Sequence, residues 1–371
     1  MFYPIENKES MQKKIGIDCR MIEHSGIGIR IDSLVNALLE NNKMFKIYLF
    51  GDPKKLIKFS YQAEIIDYQA KIYGIREFFG HVKMLDMDIL DIPHFNIPIF
   101  FVRKCIVTIH DIIPFKMKEF HGSLLKQVYI KIVFWIILKF SKKVVSVSEF
   151  TKKDLIDEFH FSPEKIRVIY NGIDKKIFYP RKIRDIQNFK KKYSLPTKYF
   201  LTIGIGKKHK NVEFLIRSLN FVWEKKKRNI PLVVAGIGKE IPEYLKIEAS
   251  NPNPRVIIFP RVEIEELALL YCGAYFFIYP SLYEGFGFPV LEAQSCCCPV
   301  ISSNASVLPE VLQNSAYFFD PKSEEDFLKV YLQATKTDSS RMKFIQKGFW
   351  NAKRFFWEKS ALEVLEEYSL L

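Results

Sequence analysis

Apolar and polar positions along the chain fall into two kinds of block. Short continuous apolar runs rich in Ile, Val and Phe alternate with longer stretches in which apolar residues return every three or four positions. The first kind reads as strands buried on both faces, the second as helices with one core-facing side. Lys14–Cys19 predicts a first strand, Ile29–Leu39 a helix and Lys46–Phe50 a second strand. Asp88–His94, Lys104–His110, Val144–Val147 and Ile166–Tyr170 are further strand-like runs. Among them lie a strongly apolar helix over Leu124–Phe140 and a helix start at Ser148-Glu149-Phe150-Thr151 with an acidic first turn. From Asp174 to about Lys198 the chain is charged and broken by Pro180 and Pro196, which predicts an interdomain linker region. A second series follows, with strands at Tyr199–Gly204, Leu232–Ala235, Arg255–Phe259, Ala274–Tyr279, Pro299–Ser302 and Ala316–Phe319. Its helices run over Val212–Val222, over Glu263–Tyr271 and onward from Pro289. Such alternation predicts an α/β chain with a mostly parallel sheet in each half and a cleft between two domains.

Size supports that division, since 371 residues exceed the roughly 250–300 at which single cores stop growing. Hydrophobic residues at 48% and aromatics at 15% suffice for two cores. The formal net charge of +14 is spread over Lys-rich segments; such a field attracts nucleic acid, anionic lipid and phosphorylated substrates alike. Met1–Lys14 is polar and charged, unlike a secretory leader. No apolar run reaches the roughly 20 residues needed to span a bilayer. The Leu124–Phe140 helix carries Lys126, Lys131 and Lys139, with Lys142 and Lys143 just beyond. It reads either as a core helix or as one lying on a membrane face with its lysines at the headgroups. Six cysteines include the adjacent Cys296, Cys297 and Cys298. These lack the separated pairs of a zinc site and read as small residues at a buried helix end, in a reducing cytoplasm.

Candidate chemistry concentrates after Tyr279. A strand feeds a Gly-punctuated loop, and Pro289 suits a first helical turn because its missing N–H has no intrahelical partner there. Glu284 stands in the loop and Glu292 one turn inside the helix, seven residues between them. Gly285 and Gly287 let the backbone approach a ligand. Amides and helix dipole favour phosphate, while carboxylate oxygens hold sugar hydroxyls. A surface loop with one solvated glutamate and one dipole-favoured glutamate accounts for the same residues. Gly26-Ile27-Gly28 puts free amides at another helix start. Ile31 stands where a dinucleotide fingerprint has its third glycine, although Asp52 after the second strand keeps that reading open. Thr108-Ile109-His110-Asp111 ends a buried strand where open α/β sheets bind ligands, so His110 is either a sugar or phosphate contact or part of a polar loop end.

Taken together these motifs resemble the GT-B nucleotide-sugar glycosyltransferases, specifically the retaining glycosyltransferase family 4, mannosyltransferase-like branch. The resemblance runs from about Lys14 to Leu371. Its most specific part is the Glu-x7-Glu signature from Glu284 to Glu292 with the inner Gly285-Phe286-Gly287. Gly26-Ile27-Gly28, Thr108-Ile109-His110-Asp111, Val147-Ser148-Glu149, Asn171-Gly172-Ile173-Asp174, Lys210-Asn211 and Leu308-Pro309-Glu310-Val311 match in the same order. The resemblance implies two Rossmann-like, doubly wound domains: an acceptor-binding domain over 1–180 and a nucleotide-sugar domain over 181–350. Residues 351–371, with Trp357-Glu358-Lys359-Ser360-Ala361, would form a helix crossing back to the first domain.

Roles follow position by position. Glu292 would hold the ribose hydroxyls and Glu284 the donor-sugar hydroxyls, with backbone contacts from Gly285, Phe286 and Gly287. Leu291 would belong to the same donor-binding stretch. Lys210 would neutralise the diphosphate, the Gly28 amide would approach it, and His110 would touch the sugar near the reacting carbon. The implied partners are a nucleotide-diphospho-sugar, with a GDP donor and mannose first, and a saccharide or lipid-linked acceptor, with peripheral contact at the inner face of the cell membrane. Surface polysaccharide or lipopolysaccharide synthesis is the implied setting. Glucosyl, galactosyl or N-acetylhexosaminyl transfer remains open.

Three departures stand out. Ile205 follows Gly204 where the family often has Arg, so Lys207, Lys208 or His209 would supply the charge. Pro260 and Arg261 replace a Gly-aromatic pair, and Cys297 a glycine. No cofactor or metal is expected, since the Asp86-Met87-Asp88 triplet precedes a strand rather than ending one. Two rival readings compete: a dinucleotide-dependent oxidoreductase built on Gly26, Gly28 and Asp52, and a nucleic-acid-binding protein. The first gives the Glu284–Glu292 stretch no role. The second has scattered positive residues and no recognisable module, so no nucleic-acid partner is expected.

Overall fold

The computed structural model describes residues 12–117, 124–204, 207–226, 229–236, 255–259 and 263–371, with a few positions near 243. Its first sheet has seven strands: β1 (Lys14–Asp18), β2 (Lys46–Gly51), β3 (Glu64–Asp67), β4 (Ile89–Ile92), β5 (Cys105–Ile109), β6 (Lys143–Ser146) and β7 (Ile166–Val168). Their order is β3-β2-β1-β4-β5-β6-β7, and every pairing is parallel. The second has six: β8 (Phe200–Ile203), β9 (Leu232–Ala235), β10 (Val256–Phe259), β11 (Phe276–Tyr279), β12 (Val300–Ser303) and β13 (Tyr317–Phe319). Their order is β10-β9-β8-β11-β12-β13, again parallel throughout.

Both sheets reverse their winding direction once, between β1 and β4 and between β8 and β11. Open α/β sheets bind ligands at such switch points, beyond the carboxyl ends of the strands. Those ends deliver the Gly26 turn and His110 from one domain, and Lys210 and Glu284 from the other. The strands pack apolar residues on both faces; Val144, Val145, Leu232, Val233 and Val234 are all fully buried.

The chain's last helix, Trp357–Leu370, leaves the second domain and packs on helix Ser25–Asn41 of the first. Tyr368 donates to Asp91 of β4, and Ser360 Oγ donates to the Tyr170 carbonyl at 2.6 Å. Gly172 is where this crossing needs a glycine, because a Cβ there would lie 2.3 Å from the Trp357 amide nitrogen.

Short helices at Pro53–Leu56, Ile75–Phe79 and Ile113–Lys116 add to the elements read from the sequence, and three differences matter more. The supposed linker contains a helix, Ile183–Lys192, whose Phe189 is buried against Tyr193 and Phe259. Its lysines and the flanking prolines hid an apolar face at helical spacing. Strand β3 was not expected, because as an edge strand it is only partly buried and carries no apolar run. The first helix begins at Ser25, four residues earlier than read, so Gly26 and Gly28 lie inside its opening turn.

Candidate functional site

The densest polar cluster joins the ends of β8 and β11. The one-turn helix Lys208–Lys210 follows β8 and is closed by Asn211 in a left-handed conformation, φ 56°. Lys210 Nζ lies 2.7 Å from Glu284 Oε1, and Tyr279, the last residue of β11, donates its hydroxyl to the same oxygen at 2.8 Å. Ser281 Oγ donates there as well and also contacts the His209 carbonyl, to which the Leu282 amide donates. The loop is thereby stitched to the lysine turn on both sides.

Burial alone would raise the Glu284 carboxyl. The Lys210 ammonium and hydrogen bonds from Lys210 and Ser281 outweigh it and hold the group below its ordinary range. His209, buried beside this pair, is lowered to about 4 by burial.

Glu292 is tuned the opposite way. Gly287, at φ 91°, turns the chain into helix Phe288–Ser295, and Pro289 occupies its first turn. One turn in, Glu292 accepts a hydrogen bond from Tyr271 at 3.1 Å. Burial raises its carboxyl to about 7 against the opposing pull of Tyr271 and Lys210. Two glutamates of one motif thus differ: one held as a carboxylate, the other poised to gain or lose its proton at neutral pH. Leu291, named with the donor-binding residues, points instead into the second domain's core and is fully buried. Val290 and Ala293 share that inward side, which leaves Glu292 as the residue of this turn that reaches the cleft.

The opposite wall comes from the first domain. His110 Nε2 lies 2.9 Å from the Pro93 carbonyl. That oxygen only accepts, so Nε2 carries the proton and Nδ1 is left as an acceptor. Burial, with Arg30 and His94 nearby, lowers His110 to about 3, so its imidazole is neutral. Gly28 departs from the role the resemblance implied: its amide donates to the His24 carbonyl at 2.9 Å and is not free. It is glycine because a Cβ would sit 2.4 Å from the Ile22 carbonyl oxygen. Gly26 and Ile27 line the cleft instead.

Between the walls lies an open cavity of about 770 Å³, within the range of ligand sites. His110, Asp111, Lys207, Lys210, Glu284, Gly285, Phe286, Gly287 and Glu292 all line it. Gly285 touches the far wall, where a Cβ would come within 1.9 Å of the His110 carbonyl oxygen.

Two family models match the chain: "Glycosyltransferase Family 4" over residues 47–176 and "Glycosyl transferases group 1" over 184–349. The chain belongs to glycosyltransferase family 4. This enzyme is 29% identical over 282 residues to the O-antigen chain mannosyltransferase B of Escherichia coli, spanning 75% of this chain and 73% of that protein. It is 29% identical over 246 residues to the O-antigen chain mannosyltransferase RfbU of Salmonella typhimurium, spanning 66% of this chain and 64% of that one. Among solved structures, Anabaena HepE in complex with UDP-glucose superposes with a TM-score of 0.76 at 14% identity, covering 96% of this chain and 100% of that one. At that identity the likeness establishes the fold, GT-B, with two Rossmann-like domains.

In this glycosyltransferase, Asp52 caps a short helix by accepting from the Lys54 amide, and so is used locally. Asp88 accepts from the Lys14 amide and Asp86 faces Lys83, at the amino end of β4 and away from the cleft. Ile205, Gly206, Pro260 and Arg261 lie outside the described residues, as does the side chain of Lys126. Cys297 adopts φ 59°, the left-handed conformation for which a glycine would be suited. Sequence reasoning gave no role to Tyr271 or Tyr279, whose hydroxyls serve the two glutamates. Both read as ordinary apolar-run aromatics, and only tertiary pairing exposes their use.

Proposed function

We propose that this glycosyltransferase transfers a hexose, mannose in the first instance, from a GDP-sugar to a saccharide or lipid-linked acceptor of a surface polysaccharide, with retention of anomeric configuration. The observation that carries the reading is the convergence of the Lys210–Glu284 pair, Glu292 and neutral His110 on one cavity at two facing switch points. The mannose and O-antigen assignments lean on the named activities of the two bacterial relatives, and retention on the family resemblance.

Rupture of the sugar–phosphate bond leaves charge on a nucleoside diphosphate. Lys210 and the amides at the start of helix Phe288–Ser295 are fixed in advance to stabilise it. Lys suits a diphosphate as a compact point charge, so no metal is required in this scheme. Glu284 accepts from donor-sugar hydroxyls, Glu292 from ribose hydroxyls, and His110 Nδ1 from a sugar hydroxyl. Incubation with UDP-, GDP- and ADP-linked hexoses tests this directly. One donor is expected to be hydrolysed slowly or transferred, with the product anomer read by NMR. Turnover of none, or a product of inverted configuration, would overturn the reading.

The partner surface is proposed with it. Helix Leu124–Phe140 buries one face in the core and leaves the other open to solvent. Ile130, Val133, Phe134 and Ile137 are buried, while Leu125 is 83% and Ile132 and Trp135 each 53% exposed along the other face. Exposed Lys131 and Lys139 interleave with that face. Exposed Phe79 and Phe100, stacked at 5.2 Å, add apolar surface on neighbouring segments. Among the described residues no helix is long and apolar enough to cross a membrane. An apolar face ringed by lysines fits an anionic bilayer surface, where lipid-linked acceptors reside. Co-sedimentation with phosphatidylglycerol vesicles, weakened by high salt and by Trp135→Glu, is the expected result. Binding unchanged by Trp135→Glu would remove this face from the account.

A further inference from the structure

Glu284 sits between two residues that are held from the other domain. Its carboxylate partners, Lys210, Tyr279 and Ser281, all belong to the second domain. Its chain neighbours do not share that allegiance. Tyr283 is buried in the first domain's core beside Phe150, ring centroids 5.6 Å apart, and its hydroxyl donates to Asp154. The Gly285 carbonyl accepts from Ser148 Oγ at 2.8 Å, with Thr151 Oγ1 at 3.4 Å. Thr151 Oγ1 is also 3.2 Å from the His110 carbonyl, so one hydroxyl lies between the two walls.

The side-chain partners named here, Phe150, Asp154, Ser148 and Thr151, all come from helix Glu149–Phe159 or its capping residue Ser148, while the Ile112 backbone also bonds the Tyr283 hydroxyl. The same helix is gripped at its start. Glu310, on the short second-domain helix Leu308–Leu312, accepts from the Glu149 amide at 2.9 Å and the Phe150 amide at 2.8 Å. A carboxylate from one domain thereby satisfies two opening amides of a helix in the other, where the helix dipole favours negative charge.

We propose that helix Glu149–Phe159 is the seat on which the donor loop docks, and that Tyr283 and Glu310 are positioning residues that hold the domains closed with Glu284 facing His110. The inference rests on the proposed role of Glu284 at the donor sugar. The nucleotide end, Lys210 and Glu292, is built within the second domain and does not depend on the clamp. Weakening the clamp therefore separates two properties that a merely structural lesion would lose together: nucleotide affinity persists while turnover falls. Opening of the clamp would let donor in and nucleotide out, and closure would exclude water from the reacting centre.

Tyr283→Phe keeps the ring against Phe150 and removes the hydroxyl that bonds the Asp154 carboxylate and the Ile112 backbone; Glu310→Gln keeps the shape and one acceptor. The test reads three quantities on the full chain: GDP affinity, GDP-mannose turnover, and the radius of gyration by small-angle X-ray scattering. Each variant is expected to bind GDP within about threefold of the parent and to lose roughly ten- to a hundredfold in turnover, the usual weight of a hydrogen bond to a charged group. Each is also expected to have a larger radius of gyration, and Glu310→Ala to be worse than Glu310→Gln. Unchanged scattering and turnover in both variants would overturn the proposal. So would a parallel loss of GDP affinity and turnover, which marks a general structural lesion. Scattering needs no substrate, so a parent that binds no GDP would refute the proposed donor and leave the clamp to stand or fall on its own reading.

Discussion

Glu292→Gln should make the protein more stable at pH 8 while depriving it of its donor. The Glu292 carboxyl is raised from its ordinary 4.5 to about 7, because it is buried and its hydrogen bond from Tyr271 recovers only part of the cost of charging it. A carboxyl with a raised folded-state pKa binds its proton more tightly folded than unfolded. Its contribution to stability is therefore intact below about pH 4.5 and is lost as pH rises towards 7. Each pH unit in that window costs about 1.4 kcal/mol, so about 3 kcal/mol is lost by pH 8. Gln cannot ionise, and its oxygen still accepts from Tyr271. Thermal unfolding of parent and variant is expected to coincide near pH 4.5 and to separate by several degrees at pH 8, with the variant higher. GDP affinity in the variant should fall, since an amide presents one acceptor where the ribose diol meets two. A stability difference that is equal at pH 5 and pH 8, or a variant less stable at pH 8, would refute the assignment of a burial-raised carboxyl.

Three further outcomes follow from the same geometry. Lys210→Met leaves Glu284 buried without its counter-ion, so burial should push the carboxyl up. Catalytic efficiency should fall about 10²–10³-fold, as for loss of a fixed charge at developing negative charge. Steady-state kinetics checks this, and less than about threefold loss would count against Lys210 at the phosphate. In Gly285→Ala the new Cβ would lie 1.9 Å from the His110 carbonyl oxygen, so the walls cannot approach; turnover should drop up to about 100-fold with GDP binding, measured by calorimetry, retained. Cys297→Gly relieves a non-glycine residue at φ 59° and should stabilise by about 0.5–1 kcal/mol, net of the entropy glycine adds to the unfolded chain; denaturant midpoints read this, and a lowered midpoint would contradict it.

The legible part of this molecule was its rhythm. Parallel strands covered on both faces must be continuously apolar, so Val144–Val147 and Leu232–Ala235 announced themselves, and the Glu284-to-Glu292 spacing survived intact into a loop and one helical turn. What stayed hidden was set by partners distant in the chain. Helix Ile183–Lys192 looked like linker because its exposed lysines outnumber the residues it buries. Gly28 looked like a phosphate contact because nothing local shows that His24 takes its amide. Glu292 looked like a simple acceptor, since its raised pKa comes from burial that only the packed fold creates. Glu310 and Tyr283 carry no periodic or motif signal for contact with helix Glu149–Phe159, which lies more than a hundred residues away in the chain.

The central claim, a cavity that takes the nucleotide of a sugar donor through Glu292, is tested most directly by calorimetric titration of GDP-mannose into the parent chain and into Glu292→Ala. The account predicts saturable one-site binding to the parent, weakened tenfold or more by loss of the carboxylate, whose charge-assisted hydrogen bonds to the ribose carry about that much affinity. Binding of equal strength in both, or none in the parent by GDP-mannose or any other nucleotide-sugar tried, would contradict it.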